Sequence, residues 1–127
     1  MTSPTLGSIL LSSTNPKRLG DWYAAALSPE LDNAEGGYRI LKFGDFYLLV
    51  DTRDDIGDTN PEPGRIILNF DVADARAVAA KFDELGAQWL SKLEDRNGSW
   101  FGTAIDPDGN YVQIIQLSEA ERAAMAS

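Results

Sequence analysis

The chain has 127 residues, 43% hydrophobic and 24% charged, the proportions of one soluble globular domain. Eleven Lys and Arg face twenty Asp and Glu, a formal charge of −9 at pH 7, which argues against a nucleic-acid partner. Histidine and cysteine are both absent, which excludes disulfides, thiolate metal sites, cysteine nucleophiles and imidazole ligands.

In chain order, residues 8–12 form a short apolar strand candidate. A helix start follows, with Thr14 or Asn15 as N-cap and Pro16 in the first turn. Leu19, Trp22, Tyr23 and Ala26 recur at helical spacing, so one apolar face runs to about residue 27. After a break at Gly36 and Gly37 come strand candidates at 38–43 and 46–50, joined by a Gly44-Asp45 hairpin signal. Residues 52–64, rich in Asp and Pro, read as an exposed linker within the domain.

The order then repeats. Residues 65–70 form a strand candidate, and Asp71 or Asp74 can cap a helix carrying Ala75, Val78, Phe82 and Leu85, stopped by Gly86. Strand candidates follow at 88–93, 99–105 and 111–117, and Ser118 with Glu121 matches a capping box for a short helix over about 118–126. The chain is therefore expected to be one domain of two units, about 7–51 and about 65–117. Neither unit can cover its own apolar sheet, so the two must associate, within a chain or between chains.

No nucleophile has a base partner, and neither a Gly-x-Ser-x-Gly elbow nor a phosphate-cradling loop is present. The run Asp106, Pro107, Asp108, Gly109, Asn110 has its glycine at the fourth position and Leu117 at the twelfth, so it reads as a hairpin turn rather than a calcium loop. Residues 1–7 lack a basic region and an apolar stretch, and no apolar run approaches the ~20 residues of a spanning helix, so a cytoplasmic address away from membranes is expected.

The doubled unit, the Trp22-Tyr23 pair in the first helix and the 106–110 turn running into Tyr111, Val112, Gln113, Ile114 and Ile115 resemble the vicinal oxygen chelate superfamily. That superfamily includes glyoxalase I, extradiol dioxygenases and bleomycin-resistance proteins. The resemblance covers about residues 7–117 and implies an α+β fold. Two βαβββ modules form a curled mixed sheet, a cup, with helices on the outside. It also makes a homodimer the expected assembly.

In the family's metal enzymes the ligands come from the cup-facing strand positions. Carried over, those positions hold Ser8, a 47–50 strand without an acid, Arg65 and Gln113, a set that cannot hold a catalytic metal. The resemblance therefore implies no metal and no cofactor. Strand alternation places Ser8, Leu10, Ser12, Arg65, Ile67, Asn69, Tyr111, Gln113 and Ile115 on the inward face, the mixed composition of a small-molecule site. Ile9, Leu11, Ile66, Leu68, Phe70, Val112 and Ile114 then face the helices. Trp100, entering its strand near the cup mouth, is expected either to stack on a ligand or to pack in the core. Trp89 is expected in the core or at an interface. The function implied is metal-independent binding of a small molecule. The alternative is an atypical lyase or isomerase in which Arg65 anchors a substrate carboxylate.

Overall fold

The structure, a computed structural model, describes residues 2–126. These residues divide into two compact units, 2–58 and 59–126, and both follow one plan.

In the first unit the order is β1 (Ser8–Ser13), α1 (Pro16–Leu27), β2 (Leu31–Glu35), β3 (Tyr38–Phe43) and β4 (Phe46–Thr52). The sheet order is β1-β4-β3-β2, with β1 parallel to β4 and the other pairs antiparallel. Asn15 caps α1, its side chain accepting from the Arg18 N–H at 3.2 Å, and Pro16 occupies the first turn. Ser28, left-handed at φ 50°, ends the helix. Leu19, Tyr23 and Ala26 are buried on one face of α1, whereas Trp22 sits at its margin with its ring edge-on to Tyr23. Beneath them lie Leu41, Leu48 and Val50, all fully buried.

Strand β2 was not evident from its sequence. Its five residues, Leu31, Asp32, Asn33, Ala34 and Glu35, are all exposed and mostly poor strand formers. It pairs antiparallel with β3 along its whole length, and two further interactions brace it. Arg39 grips Asp32 with two hydrogen bonds of 2.9 Å, and the Glu30 N–H donates to the Lys42 carbonyl at 2.8 Å. Gly36 and Gly37, both at positive φ, make the tight turn between the strands, so the glycine pair joins two strands instead of ending structure.

Arg39 also reaches across to α1, donating to Asp21 at 2.5 Å over the bare backbone of Gly20. A Cβ at Gly20 would stand 2.9 Å from the Arg39 Cδ. The pairing raises the Arg39 pKa, chiefly through Asp32. Lys17 first and Arg39 second hold the Asp21 carboxyl below its ordinary value, and Arg39 does the same for Asp32.

The second unit repeats the plan with β5 (Leu68–Asp71), α2 (Ala75–Glu84), β6 (Gln88–Arg96), β7 (Ser99–Ile105) and β8 (Tyr111–Gln116), followed by α3 (Glu119–Ala126). Its sheet order is β5-β8-β7-β6, again closed by a parallel pair, β5 with β8. Asp74, not Asp71, caps α2 by accepting from the Ala77 N–H at 3.1 Å. The Gln116 side chain accepts from the Ala75 N–H at 2.8 Å, so the last strand of the unit also secures the helix start. Phe82, Ala75, Ala104, Val112 and Ile114 are fully buried between α2 and the sheet. Trp89 lies against Phe82 at 5.6 Å between ring centroids. Ser118 caps α3 through Glu121, but its own N–H donates to Ser99 rather than closing the box.

Residues 52–60 are exposed and tied at both ends within their own units. Thr14 donates to Asp58 at 2.7 Å, and the Asn60 N–H donates to the Asp108 carbonyl at 2.8 Å. No helix among the described residues is long and apolar enough to cross a membrane.

The two carboxyls bound by Arg39 have lowered pKa values in the folded state. They therefore stabilise the fold above their unfolded values near 4, and that contribution disappears as pH falls through the lowered folded values. Urea midpoints followed down to about pH 2 should fall more steeply for the native chain than for Arg39→Met. Parallel pH profiles for the two proteins would show that Arg39 does not govern this acid sensitivity.

Candidate functional site

Alternation along paired strands divides each sheet into a face that carries the helix and a face that does not. In the first unit the helix-free face holds Ser8, Leu10 and Ser12 of β1 beside Tyr47, Leu49 and Asp51 of β4. Leu10 is 45% exposed and Tyr47 38%. Ser8 and Leu10 thus stand where expected within their sheet. The fourth strand runs to Thr52, two residues further than expected, and so gains an acid on this face, Asp51 opposite Ser12.

In the second unit the helix-free face carries a polar row across all four strands. Asn69 pairs with Gln113, Gln113 with Thr103, and Thr103 with Ser91. On one side of the row lie Tyr111 and Ile105, and on the other Ile115 and Phe101. Asn69, Tyr111 and Gln113, all expected to share a face, do share it. Thr103, Phe101 and Ser91 also belong to it and were missed. The alternation of 99–105 was available to place Thr103 and Phe101 there.

Three expectations fail. Arg65 does not lie in a strand, because β5 begins only at Leu68. Its side chain, 77% exposed, pairs with Glu62 at 3.2 Å in the preceding turn. The matching registers of the two units show why: Ser8 pairs with Tyr47, and extending Leu68 with Val112 by one residue puts Ile67, not Arg65, beside Tyr111. Ile67 and Ile66 likewise precede the strand and are 40% and 66% exposed, so Ile66 does not contribute to the helix-side core.

Trp100 is the third. It pairs with Gln116 and shares the face of Gly102 and Ala104, the side on which α2 lies. The Arg76 guanidinium of α2 sits 5.1 Å above its ring. Trp100 is therefore turned away from Tyr111 and Gln113.

The turn at 106–110 sets the position of β8. Asp106, 3% exposed, accepts from the N–H groups of Asp108 and Asn110 and from the Asn110 side chain, each at 2.9 Å. The Gly109 N–H closes the turn on the Asp106 carbonyl at 3.0 Å, with Gly109 at φ 83°. Asn110 in turn accepts from the Asn60 side chain at 2.9 Å, which fastens the approach to β5. One buried carboxylate thereby orders the turn that leads into β8, the strand that carries Gln113.

The donor chemistry of these faces does not suit the family's metal. Ser8, Asp51 and Gln113 lie on these faces and Arg65 does not, and no three of His, Cys, Asp and Glu converge among the described residues.

Removing Asp106 leaves three donors in a buried turn without their acceptor. Asp106→Ala should therefore destabilise the fold by about 2–3 kcal/mol in urea titrations, and Asp106→Asn by less. A loss under about 0.5 kcal/mol for the alanine variant would show that the turn does not depend on this carboxylate.

A family model described as a glyoxalase-like domain matches residues 8–115. No curated protein matches the chain. Among solved structures, a hypothetical protein from S. aureus has a TM-score of 0.73 at 13% identity, over 92% of this chain and 96% of that one. The fosfomycin resistance protein FosX from Mesorhizobium loti has a TM-score of 0.71 at 12% identity, over 97% and 99%. A glyoxalase/bleomycin resistance protein from Albidiferax ferrireducens T118 has a TM-score of 0.71 at 15% identity, over 87% and 98%. At these identities the likeness shows the α+β fold alone, while the family match covers most of the chain. The chain belongs to the glyoxalase-like domain family.

Proposed function

We propose that this protein binds a small molecule on the helix-free faces of its sheets without a coordinated metal. The observation that carries the reading is the polar row Asn69, Gln113, Thr103 and Ser91 framed by Tyr111, Phe101, Ile105 and Ile115. A few placed hydrogen-bonding groups in an apolar and aromatic surround are the usual composition of a ligand site. Gln113 offers both an acceptor and donors where the metal enzymes of the superfamily have a carboxylate, so it can orient a ligand without charge. The names of the structural neighbours, which include resistance proteins, fit this reading.

A lyase or isomerase anchored on Arg65 loses its anchor, because that guanidinium is ion-paired in an exposed turn outside the strand. Binding rather than turnover is the reading that the residues support.

A panel of aromatic and amphipathic antibiotics screened by thermal shift tests the proposal. A compound at about 100 times its Kd should stabilise the fold by about 2.7 kcal/mol. Gln113→Leu should weaken that compound at least about tenfold, and a chelator should leave its affinity unchanged. Binding that vanishes with chelator and returns with a divalent ion would overturn the metal-free reading. Binding indifferent to Gln113→Leu would place the ligand elsewhere.

A further inference from the structure

The pairing of β6 with β7 slips twice. Trp89 faces Ala104 and Ser91 faces Thr103, which leaves Leu90 over. Glu94 then faces Phe101, which leaves Lys92 and Leu93 together opposite Gly102. Bulges of this kind re-aim side chains and recur beside binding sites. Gly102 makes the second one possible: a Cβ there would stand 3.1 Å from both the Leu93 Cα and the Trp89 Cζ3. On the helix side of the sheet lies a hollow of about 220 Å³, lined by Ala79 and Asp83 of α2 and by Trp89, Lys92 and Leu93 of β6.

The lining is chemically divided. Ala79, Leu93 and the Trp89 indole are apolar. Asp83 accepts the indole N–H at 2.7 Å through one carboxylate oxygen and keeps the other for a further donor. Lys92 is the one Lys or Arg among the described residues whose side chain has no hydrogen bond, ion pair or ring contact. Lys92 is exposed at the edge of the hollow, so its ammonium is free to meet an incoming anion. Lys92 and Asp83 form no salt bridge with each other, so the hollow offers both signs of charge at once.

We propose that this hollow binds a free α-amino acid with an apolar side chain. The carboxylate meets Lys92, the ammonium meets the second oxygen of Asp83 and the indole face, and the side chain lies on Leu93 and Ala79. A simple anion would meet repulsion from Asp83, and a simple cation would meet it from Lys92. A zwitterion satisfies both. The site lies on the opposite face of the second sheet from Gln113 and stands or falls independently of the ligand proposed there.

Titration of the full chain with L-leucine, followed by the indole N–H resonance of Trp89 in proton–nitrogen NMR spectra, tests this. The resonance should move saturably, with the indole resonances of Trp22 and Trp100 unchanged. Lys92→Met keeps the aliphatic stem and removes the charge, and it should weaken binding at least about tenfold. 4-Methylpentanoate and 3-methylbutylamine, each lacking one charge, should bind at least about tenfold more weakly than L-leucine. Asp83→Asn, which retains an acceptor for the indole, should weaken L-leucine while strengthening 4-methylpentanoate. A Trp89 resonance unmoved at about 10 mM L-leucine, an affinity insensitive to Lys92→Met, or equal binding of the single-charge analogues would each overturn the proposal.

Discussion

Parallel pairing of the first strand of each unit with its last governs the rest of the structure. A tight turn cannot join parallel neighbours, so the chain must cross over the sheet, and here it does so through a helix followed by two antiparallel strands. The helix necessarily lands on one face. In the first unit that face buries Leu41, Leu48 and Val50 under Leu19 and Tyr23, and in the second it buries Ala104, Val112 and Ile114 under Phe82. The opposite faces are left without a covering element of their own unit, which is why side chains such as Leu10 and Tyr47 remain partly exposed.

That division gives the two faces of the second sheet different chemistry. The helix-free face carries an uncharged polar row with aromatic and aliphatic neighbours, suited to orienting a ligand through hydrogen bonds. The helix side is mostly core, but at β6 two bulges and the missing side chain of Gly102 interrupt it. Charge enters there through Lys92 and Asp83, beside an indole whose N–H is already satisfied. Local pairing irregularity has thus produced a second kind of environment on the same four strands. Regular pairing would have faced a single residue toward Gly102 and sent the other to the opposite face.

The legible parts of the fold were those written in local chemistry. Asn15 and Pro16 start α1, Gly86 follows α2, and strand 99–105 has the bounds its pattern suggested. The 106–110 run forms a turn because Asp106 bonds its own downstream backbone, a property of residues four apart. What escaped was non-local. The second strand has a weak sequence of its own and is held by its pairing with β3, braced by Arg39, which reaches Asp32 seven residues away. Arg65 was misplaced by three residues of strand boundary, and in a pleated sheet a boundary error moves a side chain out of the site altogether. Trp100 points to the α2 side, as alternation with Phe101 and Thr103 in the same strand already required, and what lay outside that strand was its partner Arg76.

Residue types alone determined that the chain has no imidazole or thiolate, that it repeats one strand–helix–strand plan, and where its capping and turn chemistry falls. These follow from composition and from interactions spanning at most a few positions. Only tertiary structure decided that Asn69, Gln113, Thr103 and Ser91 form one row, that Trp100 lies under Arg76, and that Lys92 hangs over a hollow beside Asp83. Each of those depends on strand register and on the placement of bulges, which are set by partners distant along the chain and cannot be read from either strand alone.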